Sequence, residues 1–167
     1  MPARHIWEID SGHIQFSHER VYYTCSRGEA TPQNIDSMVA NLQAFVKQQR
    51  APVGYILEVA SGARPPSASD RARVTAAFNR CAPQIAGVAL ILGAQGFTAA
   101  LLRSALTMVF MMSRRGFPVS IFEKIEDAAQ WLGPKVNLAP AEIVELSQSA
   151  RAQMKGARAS IGAQPST

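Results

Sequence analysis

A loop rich in Ser, Gly, Pro and Arg, EVASGARPPSASDRARV at residues 58–74, carries the side chains of this chain best suited to chemistry. Ser61 stands beside Gly62 after an apolar run, where a backbone can turn sharply and expose a hydroxyl group. A phosphate there would add about two negative charges near Arg64 and Arg71, whose guanidinium groups pair well with phosphate. Ser61 is therefore a phospho-switch candidate, and an ordinary turn serine is the alternative.

The second half of this loop has two interpretations. Ser67, Ser69 and Asp70 precede a helical pattern, and together with Arg64 and Arg71 they could hold an anion or an acidic partner group. The spacing Ser67-x-x-Asp70 also has the form of a capping box, in which the side chains satisfy the first amides of the helix. Capping explains these residues without a ligand, so the sequence favours it over the anion site.

Other patterns for catalysis or metal binding are sparse. No Cys or acidic cluster at ligand spacing accompanies the three histidines, which are His5, His13 and His18. Cys25 and Cys81 are the two cysteines, and neither belongs to a CxxC motif. Nucleophile-elbow, zincin and P-loop patterns are absent, and residues 93–96 lack two glycines of the dinucleotide-binding motif. We expect no enzyme activity, no metal and no cofactor; the weaker alternative is a catalytic site dispersed along the chain.

Composition and charge narrow the class of partner. The 167 residues are 47% hydrophobic and 17% charged, which is typical of a folded domain. The net charge is +5, and residues 61–135 hold nine Lys/Arg against four Asp/Glu. No interleaved aromatics or helix-turn-helix pattern accompanies this surplus, so we expect no nucleic-acid partner. The longest apolar stretch, 99–112, is interrupted by Arg103 and is too short to cross a bilayer, so we expect no membrane span. Residues 1–10 have no apolar core of signal-peptide length, and we therefore expect a cytoplasmic location.

The hydrophobic pattern predicts one α/β domain with a mixed β-sheet. Three strand-like runs come first and predict an antiparallel meander. Strands and helices then alternate, which predicts parallel pairing through right-handed βαβ crossovers. The predicted strands are 6–9, 13–17, 20–26, 53–59, 88–92 and 118–122. The predicted helices are 32–50, 68–82, 98–115, 125–132 and 140–155. We expect a domain at 1–135, an extra C-terminal helix within 136–155 and a flexible tail at 156–167.

The predicted helix that follows Thr98 is apolar nearly all round. Five residues would face the sheet: Leu102, Ala105, Leu106, Val109 and Phe110. Four further apolar residues then lie partly on other faces: Leu101, Met108, Met111 and Met112. A helix of this kind is buried by more than one neighbour, and Met suits adaptable interfaces. Cover by the C-terminal helix and cover by a second subunit in a homodimer are both open.

Several short motifs follow this element order. Residues 23–28 lead into Thr31-Pro32, and residues 55–58 precede the loop; Arg71 comes early in the second helix, and residues 122–132 end in Trp-Leu. Over roughly residues 10–133 this arrangement resembles the STAS domain, the fold of anti-sigma-factor antagonists, and in particular the SpoIIAA-like proteins of the STAS/lipid-binding type. In the antagonists the loop carries an Asp-Ser pair whose Ser is phosphorylated by a partner kinase. Ala60-Ser61-Gly62 is the nearest match here, and the Asp is absent.

The resemblance implies a non-enzymatic regulatory or scaffolding module that binds a protein partner, and in some members a small ligand. We expect the loop at 61–70 and the methionine-rich helix to be its recognition surfaces. Phosphate on Ser61, or an anion held by Arg64 and Arg71, would bias the partner-binding state. The alternative is a small-molecule or lipid-binding domain with an apolar pocket lined by Leu102, Leu106 and Phe110.

Overall fold

Six strands form one mixed sheet in the computed structural model of the chain. They are β1 (His5–Ile9), β2 (His13–His18), β3 (Val21–Ser26), β4 (Val53–Val59), β5 (Ile85–Leu92) and β6 (Val119–Phe122). Their spatial order follows the chain, from β1 to β6. The first two pairings are antiparallel and the other three are parallel, as the sequence pattern predicts. The structure describes residues 5–9, 12–27, 31–60, 66–93, 100, 103–104, 107 and 116–162, without the side chains of 8 and 156–162.

Two helices cover one face of the sheet. They are α1 (Pro32–Gln48) and α2 (Ala68–Cys81). At the start of α1, the Thr31 hydroxyl accepts a hydrogen bond from the Asn34 amide, and the Asn34 side chain accepts one from the Thr31 amide. The apolar stripe of α1 packs on the sheet through Leu42 and Phe45, and α2 packs beside it through Phe78. Both helices therefore take the positions predicted from their caps and periodicity.

The other face is covered by α3 (Ile125–Val136) and α4 (Pro140–Gly162). The apolar residues of α4, including Ile143 and Leu146, share one core cluster with β-strand side chains. Close approach of α3 requires a glycine on β4, because a Cβ added at Gly54 would lie 2.9 Å from Leu132 Cδ2. The sheet is thus buried on both faces, which explains why β4 and β5 are nearly continuous apolar runs.

Three boundaries differ from the sequence prediction by three residues or more. β5 begins at Ile85 rather than at residue 88, and its added start includes Gly87, which lies under Trp131 of α3. α3 continues to Val136 through Pro134, which lies inside the helix and has no amide to bond to the carbonyl of residue 130; Asn137 then ends the helix in the left-handed conformation. The backbone of α4 remains helical to Gly162, beyond the predicted end at 155.

Candidate functional site

The parallel strands β3, β4 and β5 end on one side of the sheet, at Ser26, Val59 and Leu92. We call this side the carboxyl edge. In open α/β sheets, ligands bind outside the carboxyl ends of the strands, at the point where the strand order reverses. This sheet runs from β1 to β6 without such a reversal, so the buried polar side chains are what mark the candidate site. Two groups of buried polar side chains lie at this edge, one on each face of the sheet, in a core that is otherwise largely apolar. The carboxyl edge is therefore the candidate site.

The first group, the Glu58 cluster, consists of Tyr23, Glu58, Ser147 and Arg151. Glu58 is the one charged residue of β4, and only 6% of it is exposed. Its Oε2 accepts hydrogen bonds from the Tyr23 hydroxyl and, at 2.8 Å, from Ser147 Oγ. Its Oε1 accepts a 2.8 Å hydrogen bond from Nε of Arg151. The cluster thus joins the two central strands to α4 through one buried carboxylate.

The electrostatics of the cluster follow from burial and from the charge of Glu58. Burial, and after it the negative charge of Glu58, raises the pKa of Tyr23 well above its usual value, which keeps the phenol protonated as a donor. The same two causes raise the pKa of the Cys25 thiol to about 12. Burial opposes the charge of Arg151, but the hydrogen bond and charge of Glu58 outweigh it, so the Arg151 pKa is raised. The carboxylate and the guanidinium form a charged, hydrogen-bonded pair.

A second arginine lies near this pair. Arg27 follows the last residue of β3, and its amide continues the strand ladder with a 2.7 Å hydrogen bond to the Gly12 carbonyl. Side chains alternate along a strand, so Arg27 is on the same face as Cys25, two residues before it. The positive charges of Arg27 and Arg151 both act to lower the pKa of Cys25, against the larger effect of burial. The edge of this face therefore presents two cations and one buried anion.

The polar group on the opposite face lies between β2, β3 and α1. His13 Nδ1 is 2.9 Å from Ser26 Oγ, and His13 Nε2 is 2.9 Å from Nε2 of the fully buried Gln15. Gln15 Oε1 accepts hydrogen bonds from the Tyr22 hydroxyl at 2.5 Å and from Asn41 Nδ2 at 3.3 Å. With Gln15 in this orientation, its amide donates to His13 Nε2, so His13 Nδ1 donates to Ser26. Ser26 is then an acceptor, which is not the arrangement that activates a serine as a nucleophile.

The positions of His13 and His18 show whether the histidines could share a metal ion. His13 is engaged as above, and buried His18 has its Nε2 3.9 Å from Oε1 of Glu142 on α4. In the described part of the chain, no group of three or more His, Cys, Asp or Glu side chains is placed to hold a metal ion.

At the start of α2, three residues that the sequence offers as candidates for binding an anion form a helix cap: Ser67, Ser69 and Asp70. The Ser67 hydroxyl accepts a 3.1 Å hydrogen bond from the Asp70 amide and lies 2.6 Å from the Asp70 carboxylate. Ser67 Oγ is also 2.9 Å from Ser69 Oγ. Hydrogen bonds from Ser67 and Arg73, opposed by burial, lower the pKa of Asp70. A carboxylate and a hydroxyl therefore stand where a bound anion would approach the helix.

Two of the three arginines of α2, Arg71 and Arg73, are engaged in local contacts. Arg71 Nη1 donates a 2.8 Å hydrogen bond to the Pro66 carbonyl. Arg73 pairs with Asp70 and, across the helix interface, with Asp36 of α1. These contacts support the capping interpretation and fix α2 against α1.

Six predicted site residues lie outside the described residues. They are Ser61, Arg64, Leu101, Met108, Met111 and Met112. The same holds for Leu102, Leu106 and Phe110, which the sequence predicts as the lining of an apolar pocket. The phospho-switch, the methionine-rich surface and the apolar pocket therefore stay predictions.

The Glu58 cluster was not predicted from the sequence, although a signal exists. Glu58 is a lone charge within an apolar strand, and such a residue is buried only when it has partners. Ser147 and Arg151 are four residues apart in a helical stripe, so one side of α4 presents both to the same neighbour. What the sequence lacks is the pairing between α4 and β4, because no local pattern fixes it.

Comparisons with known proteins found no matching family model, no matching curated protein and no matching solved structure. Among the helices of the described residues, none has the length and apolar character needed to cross a membrane.

Proposed function

We propose that the chain is a non-enzymatic regulatory module, STAS-like in type, which binds a protein partner at the carboxyl edge and is switched by negative charge on the loop after β4. The observation that carries this proposal is the ion pair between the buried carboxylate of Glu58 and the partly exposed guanidinium group of Arg151. It connects the strand before that loop to the last helix.

A buried ion pair is a costly way to hold a helix on a sheet. Desolvation offsets much of its attraction, and well-packed apolar side chains often stabilise as well or better. Ile143 and Leu146 already dock α4 through fully buried apolar contacts. A charged pair beside them adds sensitivity to nearby charge, which is the property that a switch needs.

The proposed mechanism uses competition for Arg151. Ser61 is three residues beyond Glu58 in sequence, and chain geometry alone limits the distance between their Cα atoms to at most about 11 Å. A phosphate on Ser61 would compete with the Glu58 carboxylate for the guanidinium group, because both form charge-assisted hydrogen bonds with arginine. Weakening the pair would loosen α4 and change the surface offered to the partner.

Two variants of Ser61 test this function. Ser61→Glu imitates part of the phosphate charge, and Ser61→Ala removes the hydroxyl without adding charge. Partners captured from the cells that make the protein are purified, and their affinities for both variants and for the wild type are measured. We expect Ser61→Glu to change the affinity of a true partner by about tenfold and Ser61→Ala to leave it near the wild-type value. Equal affinities of all three proteins for every captured partner would refute the switch.

The methionine-rich segment is the second proposed surface, through which two copies would associate. The double substitution of Met108 and Met111 by Glu introduces charge into that surface. A dimer predicts a later elution volume for the folded variant on size-exclusion chromatography, and an unchanged volume contradicts it.

A further inference from the structure

The exposed parts of Arg27 and Arg151 lie on one face of the carboxyl edge. We propose that these two guanidinium groups form a binding site for a phosphoryl group, and that the buried carboxylate of Glu58 is its built-in competitor. This inference deepens the proposed function, on which it rests, by naming the residues that would bind the switching charge.

Arg27 supplies the first half of the site. It is exposed, and its backbone is held in place by the hydrogen bond from its amide to the Gly12 carbonyl. Strand alternation places its side chain on the face covered by α4. A fixed backbone with an exposed guanidinium group suits an anion site, since less freedom is lost on binding.

Arg151 supplies the second half. Its side chain is 44% exposed, whereas that of Glu58 is 9% exposed, so the ion pair opens toward solvent on the arginine side. Among the described residues, its hydrogen-bond partner is Glu58, which accepts from the Nε atom of Arg151. The Nη groups can make the first hydrogen bonds to a phosphate while Nε is still bound to Glu58, and full engagement of both arginines by the phosphate then draws Nε away from the carboxylate.

The competitor couples the site to the last helix. A phosphoryl group that draws Arg151 toward solvent lengthens or breaks its bond with Glu58, and α4 then loses one of its polar contacts with β4. By reciprocity, the factor by which bound phosphate weakens the Glu58–Arg151 pair equals the factor by which the pair weakens phosphate binding.

Titration calorimetry with inorganic phosphate, at constant ionic strength, tests the site. Arg27→Gln should weaken binding about tenfold, the effect of one charge-assisted hydrogen bond. Glu58→Gln should strengthen it about threefold, because the competitor is lost. Two substitutions of exposed residues are the controls: Arg80→Gln on α2 matches the charge change of Arg27→Gln, and Glu145→Gln on α4 matches that of Glu58→Gln. Both should leave the affinity for phosphate within about twofold of the wild-type value.

Equal effects of Arg27→Gln and Arg80→Gln would show only a general basic surface and would overturn the site. A phosphoserine peptide in place of free phosphate distinguishes the two sources. If the peptide binds at least as tightly as phosphate and loses affinity in Arg27→Gln, the ligand is a phosphorylated segment; if only free phosphate binds there, it is the small anion.

Hydrogen–deuterium exchange of residues 140–155 reports on the coupling. Saturating phosphate should speed exchange in the second half of α4 in the wild type and have no such effect in Arg27→Gln. Phosphate binding without faster exchange would overturn the role of Glu58 as competitor. These outcomes are independent of the Ser61 variants, so a failed site and a failed partner switch can be told apart.

Discussion

Removing the cation of the Glu58 cluster gives the sharpest test of how the last helix is held. Arg151→Gln leaves the Glu58 carboxylate buried, with only the hydroxyl groups of Tyr23 and Ser147 to stabilise it. Breaking a fully buried ion pair from one side costs about 3–5 kcal/mol. The Arg151 side chain is 44% exposed, so part of the attraction is screened, and we expect a loss of about 2 kcal/mol in the free energy of unfolding.

A double-mutant cycle isolates the pair. Glu58→Gln keeps an oxygen that accepts from Tyr23 and Ser147 and frees Arg151 to reach water, so its expected cost is about 1 kcal/mol. The double variant should also lose about 1 kcal/mol, rather than the roughly 3 kcal/mol that addition of the single losses gives. Lys155→Gln, an exposed change one turn later on α4, is the control and should stay within about 0.5 kcal/mol of the wild type.

Urea unfolding followed by circular dichroism measures these differences. A loss of 2 kcal/mol lowers the midpoint of thermal unfolding by about 6 °C in a domain of this size. Additivity of the two single variants within about 0.5 kcal/mol would show that Glu58 and Arg151 do not interact appreciably in solution and would refute the reasoning.

Three further predictions concern the scaffold. Gly54→Ala places a methyl group 2.9 Å from Leu132 Cδ2 and should lower the free energy of unfolding in urea by about 1–3 kcal/mol. Gly116→Ala, where nothing lies within 4 Å of the added methyl group, should be nearly neutral. Equal effects of the two substitutions would contradict this packing. Ser67→Ala removes the cap of α2 and should cost about 1 kcal/mol, so an unchanged urea midpoint would argue against the cap. Burial, and after it the charge of Glu58, raises the pKa of Cys25 from 9.0 to about 12. The thiol therefore stays protonated to higher pH in the folded state than in the unfolded chain, and the free energy of unfolding falls as pH rises above about 9. Between about pH 8 and about pH 10.5, Cys25→Ala should lose about 2 kcal/mol less stability than the wild type, and identical losses would contradict the shift.

The sequence predicts this fold to the extent that local chemistry decides it. Thr31 and Ser67 mark helix starts because their hydroxyl groups accept from the first amides, and both are N-caps in the structure. The run 53–59 is a strand in full, because a segment that is apolar except for Glu58 suits a strand covered on both faces. Boundaries set by tertiary contacts were less well predicted: β5 starts early because Gly87 fits under Trp131.

The candidate site depends on pairings between distant segments, which the sequence does not reveal. Glu58 and Arg151 are 93 residues apart, and their contact requires α4 to cross back over the sheet. The closely spaced Ser67, Ser69 and Asp70 are compatible with an anion site in sequence, but the same close spacing lets their side chains bond to one another and to the first amides of α2. The residues that carry the proposal are therefore mostly those without a local motif.

Native mass spectrometry of the protein purified from the cells that make it, before and after phosphatase treatment, tests the central claim most directly. A switch by negative charge on the loop after β4 predicts a mass that falls by one phosphoryl group on treatment, with the modified site mapping to residues 58–74. A single, unmodified mass that phosphatase does not change, from cells in which the protein is active, would contradict that switch.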